Sequence, residues 1–325
     1  MIRRDGIEMK YMIAGAGGTG GTIGFFLSKA GKDCTVIARG EHLQVMRKKG
    51  LTLRRLWDGS EETVKVSAMS MDEYLAALRN SAAAGQEAPD VIFVCVKGYS
   101  LEGMIPFIRE CAGPDTVVIP VLNIFGTGAA MQEELPGCYV TDGCIYVSAD
   151  REAPGRIVQH GPILRILFGA RKGQEERKIL DDIAEDLNEC GITGINSRNI
   201  ERDALGKFSY VSPAGAAGLY YHGVARDFMH EGEKRDLFVE MIREIEKLAE
   251  AMGFPFQQDY VKLNLQIMDG LSEDANTSMQ RDVDAGRPSE VDGLVYQVVR
   301  TGKKYGVSLP AYEKVAKELM RRGLK

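Results

Sequence analysis

The sequence is poor in the residues that bind metals and contains no closely paired cysteines. It has four histidines and six cysteines among 325 residues, and no two cysteines form a C-x-x-C pair. No histidine stands near another soft ligand in a zinc-like pattern, so a structural metal is not expected. Several cysteines lie inside apolar runs such as VIFVCVK. This placement predicts reduced, buried thiols and a cytoplasmic protein.

Long hydrophobic runs and a strong excess of one charge are also missing. No apolar run reaches the length needed to span a bilayer, so a membrane partner is not expected. The first nine residues, MIRRDGIEM, are polar and lack the apolar core of a signal peptide. We expect them to form a disordered lead-in. The 41 basic and 46 acidic residues are spread along the chain and give a net charge of -5, so nucleic acid is not an expected partner.

The first 197 residues alternate short apolar runs with longer stretches that suit helices. The runs are nearly all apolar: KYMIA, CTVIA, VIFVCV and TVVIPV. This alternation predicts an α/β Rossmann-type domain, a doubly wound parallel sheet with helices on both faces. From about residue 138 to 170, strand-like segments separated by turn residues predict an antiparallel extension of the same sheet. From residue 198 to 325 apolar residues recur at helical spacing, which predicts an all-α second domain.

A glycine-rich turn follows the first predicted strand and opens a helix. It fits the pattern G-x-G-x-x-G and consists of Gly15, Ala16, Gly17, Gly18, Thr19 and Gly20. In a β-α-β unit Gly15 would make the tight turn, Gly17 would let a pyrophosphate approach the backbone, and Gly20 would allow close helix packing. The helix N-terminus would offer unpaired amides to the phosphates. These six residues are therefore predicted to bind a dinucleotide; the alternative is a flexible turn that binds none.

The end of the second predicted strand indicates which dinucleotide is bound. Proteins that prefer NAD place an acid there for the ribose 2'-hydroxyl, whereas a cation suits the 2'-phosphate of NADP. Here the strand ends in the sequence IARG, whose Arg39 offers a forked set of donors to a phosphate. The sequence therefore favours NADPH and NADP+; the alternative is a solvated arginine before a helix.

Four polar residues are candidates for a catalytic site. Lys97 and Asn123 close two successive apolar strands, at the edge where doubly wound sheets bind ligands. Lys207 lies among apolar neighbours, so partial desolvation would make its ammonium group a credible proton donor. Glu290 could hold that ammonium in place or bind a substrate hydroxyl. Each has an ordinary alternative: a loop residue, a surface lysine, or a carboxylate at a helix start.

The order of these motifs resembles the ketopantoate reductase family over essentially the whole chain from Lys10. The sequence contains, in this order, GAGGTG, VIAR, VCVK, VLN, GKFSYV and TSMQRDVDAGRPSEVD. The last segment is the most diagnostic, because Ser278 begins an S-M-x-x-D pattern and is followed twelve residues later by Glu290. The resemblance implies an NADPH-binding Rossmann-type domain with Arg39 at the 2'-phosphate. It also implies reduction of 2-dehydropantoate to (R)-pantoate for pantothenate and coenzyme A synthesis.

The resemblance further implies roles for individual residues. Lys207 matches the family's catalytic lysine, and Glu290 matches its partner carboxylate, which we also assign to cofactor binding. Ser278 matches a substrate-binding serine; the alternative is a helix cap, because Thr277 and Gln280 have the spacing of a capping box. Lys97 and Asn123 match polar residues near cofactor and substrate, so each is assigned to both ligands.

Some positions depart from the family pattern. Val211 and Gly215 replace asparagines four and eight residues after the lysine, and Ala275 replaces an asparagine three residues before the serine. We expect these changes to affect which 2-oxo acid is bound and to leave the cofactor and proton donor intact. The open alternatives are reduction of another small 2-oxo acid, and a protein that senses NADPH without catalysis. The oligomeric state is open as well, and a homodimer is one alternative.

Overall fold

The computed structural model describes residues 9–82 and 88–325, and the chain divides into two units. The first unit contains the residues through Leu122 together with 126–200, and the second contains Asn123–Phe125 and Glu201–Lys325. Of the predicted lead-in, only Met9 is among the described residues, and it is half-buried. The predicted domain boundary between residues 197 and 198 stays a prediction.

The first unit is an α/β unit with eleven strands and six helices among its described residues. The strands are β1 (Tyr11–Ala14), β2 (Cys34–Ile37), β3 (Leu51–Arg55), β4 (Glu61–Val64), β5 (Ser67–Met69), β6 (Val91–Val94), β7 (Val117–Pro120), β8 (Tyr139–Val140), β9 (Asp142–Ala153), β10 (Arg156–Gly169) and β11 (Thr193–Asn196). The helices are α1 (Gly18–Lys29), α2 (Gly40–Lys49), α3 (Met71–Ala82), α4 (Leu101–Cys111), α5 (Thr127–Glu134) and α6 (Ile179–Glu189).

A six-stranded parallel sheet forms the centre of this unit, with the strand order β5-β2-β1-β6-β7-β8. Strands β1, β6 and β7 are buried along their whole length. Apolar side chains cover both faces of the sheet, since Ile13 and Met12, successive residues of β1, belong to different buried clusters. Burial on both faces is the reason why these strands are nearly continuous apolar runs. The predicted Rossmann-type sheet is confirmed.

A second sheet has the strand order β11-β10-β3-β4, with β9 paired to β10. The long antiparallel hairpin of β9 and β10 was expected as an extension of the first sheet, and this detail is wrong. Helix α1 packs against both strands of that hairpin. A Cβ on Gly18 would lie 2.1 Å from the Ala149 carbonyl oxygen, and one on Gly21 would lie 2.7 Å from Ile157 Cδ1. The glycines of α1 thus allow the hairpin to cover the helix instead of lengthening the parallel sheet.

The second unit is helical, and its residues, all of which the structure describes, form no strand. Its helices are α7 (Ile200–Tyr221), α8 (Glu233–Ala251), α9 (Tyr260–Asp269), α10 (Ser278–Asp284), α11 (Gln297–Tyr305) and α12 (Pro310–Arg321). A single turn of π-helix, Asp292–Tyr296, directly precedes α11. Across the two described ranges, no helix is both long enough and apolar enough to cross a membrane.

A buried carboxylate joins α8 to the first turn of α12. Glu244 is 4% exposed, and its two side-chain oxygens accept hydrogen bonds from the backbone N–H groups of Ala311, at 2.7 Å, and Tyr312, at 3.0 Å. The first N–H groups of a helix have no partner within the helix, so an acceptor from elsewhere satisfies them. This contact fixes the C-terminal helix on the core of the second unit.

Replacing this carboxylate should destabilise the protein. We expect Glu244→Gln, which retains a single acceptor oxygen, to lower the free energy of unfolding by about 1–3 kcal/mol, because one buried N–H group loses its acceptor. Urea unfolding followed by circular dichroism measures this difference. The control is Glu250→Gln, an exposed glutamate on the same helix. Equal stability of the two variants would contradict the role assigned to Glu244.

Candidate active site

The glycine turn between β1 and α1 has the geometry that the sequence predicts. Gly15 adopts a φ of +109°, which L side chains rarely adopt. A Cβ on Gly20 would lie 1.9 Å from the Gly15 carbonyl oxygen, and one on Gly24 would lie 2.7 Å from Val36 Cγ2, so both glycines allow α1 to pack closely on the sheet. A Cβ on Gly17 would meet nothing within 4 Å. The turn is therefore packed on its inner side and open at Gly17.

The start of α1 suits an anionic group. Gly17 is its N-cap residue, no side chain caps the helix, and the first turn contains no acidic residue. The backbone N–H groups at this end carry the positive end of the helix dipole and lack partners within the helix. Together with the open space at Gly17, these features fit the pyrophosphate of a dinucleotide. Gly17, Gly18, Thr19 and Gly20 would hold it.

Two predicted cations lie after strands of the parallel sheet. Arg39 is the N-cap residue of α2 and follows β2. It is exposed, and among the described residues its guanidinium group has no hydrogen-bond or ion-pair partner. Lys97 follows β6, is half-buried and precedes a 3₁₀ turn at Gly98–Ser100. Arg39 is thus available to a ligand at the end of β2.

Sequence reasoning missed a histidine that contacts the glycine turn. His42 lies in the first turn of α2 and is 5% exposed. Its Nε2 lies 2.8 Å from the Ala16 carbonyl oxygen, and its Nδ1 lies 2.8 Å from the backbone nitrogen of Gly155. A lone histidine on the buried face of a helix gives no sequence signal for such a contact.

The predicted proton donor and a strand-end amide are joined in the second unit. Lys207, on α7, donates a hydrogen bond from Nζ to Asn123 Oδ1 at 2.7 Å. Asn123 follows β7 in the chain, but the segment Asn123–Phe125 belongs to the helical unit. Lys207 and Asn123, which are 84 residues apart in sequence, therefore form one polar pair.

Three contacts hold the Asn123–Phe125 segment in place. The ring of Phe125 packs against that of Phe208, with 6.3 Å between the ring centroids. A Cβ on Gly293, in the π turn, would lie 2.5 Å from Ile124 Cδ1, so the absence of a side chain there makes room for Ile124. Gln297 Nε2 donates to the Phe125 carbonyl oxygen at 3.2 Å. These contacts fix the two residues that directly follow Asn123.

The predicted substrate serine lies at the start of α10. Ser278 is the first residue of this helix, and Thr277 and Gln280 form the capping box that their spacing indicates. A Cβ on Gly215 would lie 2.6 Å from Met279 Cε, so α7 meets α10 at this glycine. Residues spaced by four lie on one side of a helix, and the face of α7 that carries Lys207 therefore runs toward Ser278.

The predicted partner carboxylate is buried in the same unit. Glu290 is 5% exposed and directly precedes the helical residues that contain the π turn. Its backbone carbonyl accepts a hydrogen bond from the N–H group of Leu294 at 2.9 Å. A carboxylate is seldom buried to this extent, so Glu290 differs from an ordinary exposed acid at a helix start.

The parallel sheet and its glycine turn define the Rossmann-type class of α/β proteins, here followed by a helical unit. The family model described as ketopantoate reductase PanE/ApbA matches residues 11–173, and the model of its C-terminal part matches residues 199–322. The chain therefore belongs to the ketopantoate reductase family. Members of this family are oxidoreductases that act on CH–OH groups and use a nicotinamide cofactor.

Curated relatives match over nearly the whole chain. The uncharacterized oxidoreductase YkpB of Bacillus subtilis is 26% identical over 312 residues, which cover 94% of this chain and 96% of that protein. A 2-dehydropantoate 2-reductase of Pyrococcus horikoshii is 24% identical over 308 residues, with 93% of each chain covered.

Solved structures share the fold at low identity. The crystal structure of 2-dehydropantoate 2-reductase from Methylococcus capsulatus has a TM-score of 0.82 and 24% identity, and the match covers 98% of each chain. A ternary structure of D-mandelate dehydrogenase with NADH and anilino(oxo)acetate has a TM-score of 0.80 and 21% identity, covering 95% of this chain and 96% of that one. The predicted fold class, with its helical second domain, is confirmed.

A methyl group added at Gly17 should separate ligand binding from folding. Gly17 has a φ of -73°, which alanine adopts without strain, and its Cβ would meet nothing within 4 Å. We expect Gly17→Ala to retain the stability of the wild type and to weaken the binding of a nicotinamide dinucleotide by about tenfold or more, because the methyl group occupies the space of the pyrophosphate. Calorimetric titration and thermal unfolding measure the two effects.

The matched control is Gly103→Ala, another glycine of the first unit whose added Cβ would meet nothing within 4 Å. This variant should bind the dinucleotide as the wild type does. Unchanged affinity in Gly17→Ala would show that no ligand lies against this turn.

Proposed function

We propose that this protein is an NADPH-dependent reductase that converts 2-dehydropantoate to (R)-pantoate. The observation that carries the proposal is the 2.7 Å hydrogen bond between Lys207 Nζ and Asn123 Oδ1, in a chain of the ketopantoate reductase family. The relative from Pyrococcus horikoshii, which bears the name of this reaction, supports the choice of substrate. The setting proposed is the cytoplasm, where the six cysteines of this chain, none of them in a disulfide, would stay reduced.

Lys207 is proposed as the general acid. Reduction of a ketone needs a proton at the carbonyl oxygen, and the cofactor, when bound, supplies the hydride to the carbonyl carbon. An ammonium group has three N–H donors and no acceptor. One donor of Lys207 is directed at Asn123, whose amide oxygen orients the group without removing a proton. The ammonium group is proposed to deliver its proton to the carbonyl oxygen of the substrate.

The remaining predicted residues are proposed to bind the ligands. Ser278 offers a hydroxyl to the substrate near the face of α7 that carries Lys207. Glu290, buried in the same unit, would hold the ammonium in place or bind a substrate hydroxyl, and would contact the cofactor. Lys97 and Asn123 are each proposed to bind the cofactor and the substrate. Arg39, exposed at the end of β2, is proposed to bind the 2'-phosphate of NADPH.

A second candidate function is reduction of a 2-oxo acid with a more apolar side chain. Along the Lys207 face of α7 the next positions are Val211 and Gly215, and Met279 Cε fills the space beside Gly215. This stretch offers no side-chain amide to a substrate hydroxyl. The solved D-mandelate dehydrogenase, which shares the fold, supports such breadth within the scaffold.

The function is tested by NADPH oxidation with 2-dehydropantoate and a panel of 2-oxo acids that differ in side-chain polarity, repeated with NADH. We expect 2-dehydropantoate to give the highest kcat/KM, and NADPH to be preferred over NADH because Arg39 holds the 2'-phosphate. Arg39→Ser should remove that preference while leaving turnover with NADH unchanged. An apolar 2-oxo acid as best substrate would favour the second candidate, and tight NADPH binding without turnover would favour a sensor.

Lys207→Ala tests the proposed acid. We expect kcat to fall by a factor on the order of 10² to 10⁴, since general acid catalysis contributes about this much, with NADPH binding retained. Steady-state kinetics and calorimetric titration measure the two quantities. Lys262→Ala, which removes an exposed lysine of α9, is the control and should leave both unchanged. Undiminished turnover in Lys207→Ala would refute the assigned role.

A further inference from the structure

The bonds of His42 fix the state of its ring. The backbone N–H group of Gly155 can only donate, so Nδ1 of His42 must accept and therefore carries no proton. The proton of the neutral ring is then on Nε2, which donates to the Ala16 carbonyl oxygen at 2.8 Å. Burial lowers the pKa of His42 below its usual value, which agrees with a neutral ring near pH 7. One tautomer therefore satisfies both backbone groups.

The bond to Ala16 also sets the direction of the next N–H group. No described peptide bond is cis, and in a planar trans peptide the carbonyl and the following N–H point in opposite directions. Holding the Ala16 carbonyl toward His42 therefore directs the Gly17 N–H away from the ring. A peptide plane turned the other way would present a carbonyl oxygen, with its partial negative charge, to an anion.

The second bond ties the ring to the turn between β9 and β10 of the other sheet. Gly155 joins β9 to β10 with a φ of +72°, and a Cβ there would lie 2.4 Å from Val45 Cγ1, on the same helix as His42. The β9–β10 turn thus packs closely on α2. The histidine has little freedom to move with Ala16, because its other nitrogen is held by this turn.

We infer that His42 is a positioning residue for the cofactor: it locks the Ala16–Gly17 peptide so that the Gly17 N–H faces the pyrophosphate. This inference rests on the proposed dinucleotide site at the glycine turn and assigns a function to a side chain that takes no part in the chemistry. It predicts that His42 affects the affinity for NADPH and leaves the rate of the bound enzyme nearly unchanged.

The test compares His42→Leu with Leu43→Ala, a change at the next residue of α2, where the leucine is also buried. Both variants should lose stability in thermal unfolding. We expect only His42→Leu to weaken NADPH binding, by about tenfold in calorimetric titration, with kcat within about twofold of wild type, because a lost backbone hydrogen bond frees the peptide to rotate. His42→Gln, which keeps a donor that can reach Ala16, should recover part of the affinity.

A second measurement does not depend on ligand binding. Hydrogen exchange followed by mass spectrometry should show faster exchange of the amides of residues 15–20 in His42→Leu than in Leu43→Ala. If His42→Leu binds NADPH as tightly as the wild type, or if the amides of residues 15–20 exchange equally fast in the two variants, the inference is overturned. The proposed function would still stand. A wild-type chain that binds neither NADPH nor NADH would overturn the proposed cofactor site and this inference with it.

Discussion

The hydrogen bond between Lys207 Nζ and Asn123 Oδ1 is the interaction on which the account of the second unit depends. It exists because the segment Asn123–Phe125, which follows β7 in the chain, belongs to the helical unit. Phe125 is anchored against Phe208, and the amide oxygen of Asn123 is thereby held at the ammonium group.

In the first unit, the glycine turn is packed against its neighbours and still leaves its backbone accessible at one position. Glycines at positions 20 and 24 bring α1 against the parallel sheet, and those at 18 and 21 bring it against the β9–β10 hairpin. Helix α1 thus packs against both sheets of the first unit. Among the glycines of the turn and of α1, only Gly17 has free space where a side chain would be, and the bond from His42 to Ala16 fixes the peptide beside it.

Local patterns predicted a large part of this structure. Strands buried on both faces are continuous apolar runs, and the capping box at Thr277 and the glycine turn are set by residues close in sequence. The second sheet was not predictable in this way, because its central pairing joins β3 to β10, for example Leu53 to Ile157. Such pairing depends on contacts distant in sequence. The assignment of Asn123 to the helical unit and the contact between His42 and Ala16 were missed for the same reason.

The most direct test of the central claim is a double-mutant cycle on Lys207 and Asn123, with kcat measured in the wild type, Lys207→Ala, Asn123→Ala and the double variant. If the amide acts by orienting the ammonium, its removal should matter little once the lysine is gone. The double variant should then lose about as much activity as Lys207→Ala alone. If the two single substitutions raise the free energy of activation by amounts that simply add up in the double variant, the account is contradicted, because the two side chains then act separately.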